Sequence, residues 1–281
     1  MKVELLLLFL GLSAYVTASP IAAGPAAQAT SADHDIPLRV FPAAPPAAVA
    51  TGSALYRVRG RDNNADAVPP LPDMLHGLAK FLSDEKGLKG SSGPAKATTG
   101  AGSNVENGIK ENKSCEPLTL IFARGTEEAG NMGTVVGPAL ATALRKLLNN
   151  KVTIQGVDYP ATVADTLDLG TDGGPEMANL VKQGLTQCPS SKIVVAGYSQ
   201  GAMVMHDAAE ILGVGEVTAA IVFGDPLKFL PLNIVPPGDL REFCAAGDPV
   251  CGDGNDVSIH KSYAANAEEA ARFIVMTAGI Q

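Results

Sequence analysis

The chain has 281 residues, 46% of them hydrophobic and 18% charged, with a formal net charge of −8. That is enough apolar material for a sizeable core in one or two domains. The charge is uneven: residues 115–281 carry 10 Lys and Arg against 19 Asp and Glu, residues 1–114 carry 11 against 10, and an acidic second half argues against nucleic acid as a partner.

In chain order, Lys2 and the α-amine precede an apolar run from Leu5 to Val16, and the small pair Val16/Ala18 suits cleavage after Ala18. Residues 1–18 therefore read as a secretory signal peptide, too short to span a bilayer. No later run is long and apolar enough to span one, so the mature protein is expected to be soluble and extracellular, without stable membrane insertion. Residues 19–114 read as a low-complexity propeptide or disordered linker. Residues 19–61 are rich in Ala and Pro without a sustained period. Asp73 can cap a short amphipathic helix carrying Leu75, Leu78, Phe81 and Leu82, and a Gly-Ser-Ala-Thr-rich stretch follows from Gly87 to Asn104. Asn112-Lys113-Ser114 is a glycosylation sequon.

From Cys115 to residue 281 strands alternate with helices. Strands are predicted at Leu118–Ala123, Val152–Gly156, Lys192–Ala196, Val217–Phe223 and Leu240–Ala245. Helical spacing links Val136, Leu140, Leu144, Leu147 and Leu148, then Met177, Leu180, Val181 and Leu185 after Pro175, then a run to about Leu212 and a last helix over about 264–276. The pattern predicts one α/β domain: an α/β-hydrolase-like three-layer sandwich on a central, mostly parallel five-stranded sheet. All four cysteines, Cys115, Cys188, Cys244 and Cys251, lie here. In a secreted chain they suggest disulfides, and four allow three pairings. Cys244 and Cys251 can close a short loop, leaving Cys115 with Cys188. With no CxxC and no nearby His pair, no metal site is expected.

Gly197-Tyr198-Ser199-Gln200-Gly201 joins the third strand to a helix, the strand–turn–helix setting that gives G-x-S-x-G its meaning as a nucleophile elbow. Serine attacks only when a base takes its proton. Of four histidines, His34 and His76 lie in the tail, and His206 is seven residues into the helix and reads as structural. His260 remains, and it alone satisfies the order serine, acid, histidine. Asp248 and Asp225 are the candidate acids. Asp225 ends a strand, whereas Asp248 lies between Cys244 and Cys251, where a disulfide would preorganise it; Asp253 and Asp256 read as loop residues. Oxyanion donors are expected at the N–H of Gln200 and at Thr126, in the loop Arg124-Gly125-Thr126-Glu127. The alternative for that loop is an ordinary turn with Arg124 and Glu127 as surface charges.

Ala123-Arg124-Gly125-Thr126-Glu127, Gly130-Asn131-Met132-Gly133, the elbow, Cys244 to Cys251 around Gly247-Asp248, and His260 together resemble the cutinase family over about residues 115–281. The resemblance implies a secreted serine esterase without a lid domain and with an exposed cleft. It implies a triad of Ser199, Asp248 and His260, an oxyanion hole at Thr126 and Gln200, and disulfides Cys115–Cys188 and Cys244–Cys251. It favours Asp248 over Asp225. It implies a polyester or small-ester substrate, with cutin foremost, a monomer, and no cofactor. Two departures stand out: Thr126 where many members have Ser, and a polar loop 252–258. Apolar walls would then come from Phe229, Leu230, Leu232, Ile234 and Val235 on one side and Leu167 and Leu169 on the other. Asp158-Tyr159-Pro160-Ala161 resembles members nearer the acetylxylan esterases, the rival substrate class. A rival of another kind is a non-catalytic surface or effector protein.

Overall fold

A computed structural model describes residues 103–280, together with Ser83. The predicted signal peptide, the amphipathic helix at 73–82, His34 and His76 lie outside the described residues.

Five strands form one parallel sheet: β1 (Leu118–Ala123), β2 (Val152–Gly156), β3 (Lys192–Tyr198), β4 (Ala219–Phe223) and β5 (Leu240–Phe243), in the order β2-β1-β3-β4-β5. Between and around them run α1 (Gly137–Leu147), α2 (Val163–Leu167), α3 (Gly174–Gln187), α4 (Gln200–Ile211), α5 (Val257–His260) and α6 (Ala267–Thr277). A parallel sheet is covered on both faces, so its central strands bury their side chains on both sides and are largely apolar. In β1 all six side chains are buried, and in β3 all but Lys192.

Alternation along each strand sorts these side chains into two cores. Leu118, Leu120 and Phe122 of β1, Val194 and Ala196 of β3, and Ile221 and Phe223 of β4 pack with Leu140 and Leu144 of α1 and Ala270 and Ile274 of α6. The opposite residues, Ile121, Ile193, Val195, Ala220 and Val222, meet Met177, Leu180 and Val181 of α3 and Val204 and Met205 of α4. The chain leaves β1 for one edge strand, β2, and returns to β3 on the other side of β1. The sheet therefore has its topological switch point between β1 and β3, and a crevice opens beyond the carboxyl ends of such strands.

Both disulfides form with the expected pairing, Cys115–Cys188 and Cys244–Cys251. The first ties the entry of β1 to the end of α3.

The folded body reaches further upstream than the sequence boundary at Cys115 suggests. Asn107 bridges Gln155 in antiparallel fashion. Gly108 N–H donates to the Ile154 carbonyl at 2.9 Å, and Gly156 N–H donates to the Glu106 carbonyl at 2.8 Å. The Gln155 carboxamide oxygen accepts from the N–H groups of Ile109 and Lys110, and Ile109 enters the second core. Ser103 and Asn104, assigned by composition to the linker, are buried. This strap covers the outer edge of β2. Its composition hides it, because backbone bonds and the buried amides of Gln155 and Asn131 hold it.

Candidate active site

β3 runs straight into the elbow. A Cβ on Gly197 would lie 2.3 Å from the Gly201 carbonyl oxygen, and one on Gly201 would lie 2.1 Å from that of Ala123. Neither position can carry a side chain, which is why the turn reads G-x-S-x-G. Ser199 takes φ 54° and ψ −119°, a region disfavoured for any residue with a Cβ and costing about 1–3 kcal/mol. The surrounding structure holds it there: Ser199 N–H donates to the Phe223 carbonyl at 2.9 Å. The twelve-residue α4 begins at Gln200, so its first N–H groups and positive dipole end lie at the serine.

His260 lies against this turn. It closes the short helix α5. The Tyr198 ring stacks on the imidazole at 5.1 Å, and the Tyr198 hydroxyl donates to the His260 carbonyl at 2.9 Å. Gly224, at φ 57°, passes so close that a Cβ would meet His260 Cε1 at 2.5 Å. On its other side His260 Nδ1 bonds Asp248 Oδ2 at 2.8 Å. Asp248 Oδ1 accepts from Val250 N–H at 2.7 Å, inside the loop that Cys244–Cys251 closes. Burial pushes the Asp248 carboxyl up, but the bond and charge of His260, with the Tyr263 hydroxyl and the Val250 N–H, hold it below the usual carboxylate range. Tyr263, missed in the sequence, donates to Asp248 Oδ2 at 2.6 Å.

Asp225 is taken elsewhere. His206 Nε2 bonds its Oδ2 at 2.9 Å and Leu227 N–H donates to its Oδ1 at 2.8 Å. That gives His206 the structural role expected of it and leaves Asp248 as the partner of His260.

The loop after β1 is more built than an ordinary turn. Arg124 is not a surface charge: it is buried and donates to the carbonyls of Glu128 and Tyr159, with its guanidinium over the Tyr159 ring. The Tyr159 hydroxyl returns a hydrogen bond to the Arg124 carbonyl. The Glu128 carboxylate gathers the N–H groups of Gly125, Thr134 and Val135. Glu127, at φ 58°, donates its N–H to the Ala161 carbonyl at 2.7 Å. Within this frame Thr126 Oγ1 meets Thr166 Oγ1 of α2 at 3.0 Å. Gln200 Nε2 donates to the carbonyl of Thr162, which caps α2. One short helix thus touches both expected oxyanion residues. A capping box, Thr162 with Asp165, starts this helix, which the sequence pattern did not reveal.

These contacts alter the picture of an open cleft. Ser199 is 1% exposed and His260 and Asp248 are 0%, and the buried Ser199 hydroxyl has no hydrogen-bond partner among the described residues. Val163 and Leu169 on one side and Leu230 and Val257 on the other pack around Met203, Leu227 and Val250. The loop before His260 therefore does supply an apolar side chain, Val257. Of the other expected wall residues, Leu232, Ile234 and Val235 are drawn into the second core, Phe229 stays 46% exposed, and the Leu167 side chain lies outside the described residues.

A parallel sheet whose middle strand ends in a strained serine turn, with a buried histidine–aspartate pair beside it, defines an α/β-hydrolase-like protein. The Cutinase family model matches residues 114–278. Cutinase 4 of Emericella nidulans is 48% identical over 221 residues, covering 76% of this chain and 98% of that one. The cutinase of Monilinia fructicola is 39% identical over 174 residues, covering 60% and 87%. Among solved structures, Trichoderma reesei cutinase in complex with a C11Y4 phosphonate inhibitor is similar with a TM-score of 0.57 at 33% identity, over 74% of this chain and 92% of that one. The chain belongs to the cutinase family and is a carboxylic ester hydrolase.

Proposed function

We propose that the protein is a secreted serine esterase that hydrolyses cutin, the plant-surface polyester, through an acyl-enzyme on Ser199. The bond from His260 Nδ1 to Asp248 Oδ2, set beside the strained serine turn, carries this reading. With Nδ1 held by the carboxylate, Nε2 is the nitrogen left for proton transfer. His260 takes the Ser199 proton as the hydroxyl attacks the ester carbonyl, and Asp248 stabilises the imidazolium. The N–H of Gln200 and the N–H and hydroxyl of Thr126 stabilise the tetrahedral oxyanion. His260 then protonates the leaving alcohol and activates water to release the acid. Secretion is supported by the leader-like residues 1–18 and by two disulfides.

Two assays test this. A phosphonate of the type bound by Trichoderma reesei cutinase should label the wild type and not Ser199→Ala; a folded wild type that resists labelling would favour a non-catalytic surface protein. Initial rates on p-nitrophenyl esters from C2 to C16, with release of monomers from cutin, test the substrate. Rates that collapse beyond C2 would shift the assignment to an acetylxylan-type esterase.

A further inference from the structure

Three residues beyond His260, Tyr263 is fully buried among the groups the hydrolytic reading uses. Its hydroxyl donates to Asp248 Oδ2 at 2.6 Å, the same oxygen that faces His260 Nδ1 at 2.8 Å. The direction of this bond is fixed by a second one. The Tyr263 oxygen accepts the Ala245 N–H at 2.9 Å, so its own proton is left for the carboxylate. The Cys251 sulfur is the only other neighbour of that oxygen in hydrogen-bond range among the described residues, at 3.4 Å, and a disulfide sulfur is a weak acceptor. The ring is wedged edge-on to the imidazole at 6.0 Å and against Tyr198 and Phe223. Burial, then the bond to Asp248, pushes the phenol above its ordinary range, so it remains a donor at every working pH.

We propose that Tyr263 is a positioning residue for the hydrolytic reaction, one that shares Asp248 Oδ2 with His260 and so limits how strongly the imidazole holds a proton. This rests on the triad reading above. A carboxylate facing histidine alone concentrates its charge on the imidazolium. A neutral O–H on the same oxygen takes part of that charge in every protonation state, without needing a proton of its own to leave. The titratable groups facing the network among the described residues are Asp248, His260, Tyr198 and Tyr263, with Glu242 of β5 acting on Tyr263 at longer range.

The test uses the full-length protein and two changes of opposite sign. Tyr263→Phe keeps the ring and removes the donor. It should move the acid limb of kcat/KM, and the NMR titration midpoint of the His260 ring, upward by about 0.5–1 pH unit, with KM little changed. 3-Fluorotyrosine installed at position 263 is a stronger donor in the same shape and should move both downward. A purely structural tyrosine would lower the melting temperature and move neither midpoint. Midpoints within about 0.2 unit of wild type in both variants would overturn the proposal, and the fluorinated protein decides it if Tyr263→Phe fails to fold. Ser199→Ala separates the two readings. Retained hydrolysis there would overturn the triad, while the His260 titration still decides the role of Tyr263.

Discussion

His260 and His206 each hydrogen-bond an aspartate at nearly the same distance, 2.8 Å to Asp248 and 2.9 Å to Asp225. Even the second carboxylate oxygen is treated alike: Val250 N–H holds one and Leu227 N–H the other, each two residues on from its aspartate. The pairs differ in which ring nitrogen meets the acid and in where they stand. His260 offers Nδ1, at the C-terminal end of α5, against Tyr198 of the elbow. His206 offers Nε2 from within α4 and is spent on bracing the end of β4. A buried histidine–aspartate bond is therefore no mark of catalysis by itself. Which ring nitrogen meets the acid, and where the pair stands in the fold, tell the two apart.

The contrast can be broken most sharply by removing side chains at each site. Ser199→Ala or His260→Ala should lower kcat by about 10⁴–10⁶, while His206→Ala should leave kcat within a few-fold and instead lower the melting temperature. Equal losses at the two histidines would end the distinction. Next, Asp248→Asn should cost about 10⁴ in kcat by spoiling the tautomer. Asp225→Asn, measured on the same ester, should show its effect in denaturant midpoint rather than turnover.

The disulfides allow a milder version. Replacing Cys244 and Cys251 together by Ser should loosen Asp248, and a misplacement of about 1 Å costs on the order of 10²-fold in rate. Replacing Cys115 and Cys188, which close a loop 73 residues apart in sequence, should cost about 4 kcal/mol of stability with kcat preserved in the surviving folded fraction. The smallest effect is acidic. The folded carboxyl of Asp248 is depressed, so its share of stability is complete above the unfolded value near 3.9 and is lost as pH falls through the folded value. Asp248→Asn should flatten the melting-temperature profile below about pH 4; an unchanged slope would sink this attribution.

The sheet was legible because a parallel strand buried on both faces leaves a run such as Leu-Thr-Leu-Ile-Phe-Ala, and β1 and β2 fall where the pattern puts them. Strand ends were less so: β3 runs two residues further, to Tyr198, because pairing with β4 continues to Phe223. The elbow could be read because only glycine fits at Gly197 and Gly201. The supports of the site could not. Arg124, Glu128, Thr166 and Tyr263 act through partners 3 to 40 residues away, contacts that leave no periodicity. The strap at 103–114 escaped for a related reason: much of its pairing runs through its own backbone, which leaves no pattern in side-chain type.

That strap limits how the protein can be trimmed. An edge strand stripped of its cover presents a row of bare N–H and C=O groups to any neighbouring chain. A chain cut back to Cys115 would keep Ser199, Asp248 and His260, yet uncover β2 and lose the Ile109 plug, inviting aggregation in storage. A shortened form meant to keep the edge of β2 covered should therefore retain the chain from Ser103 onward.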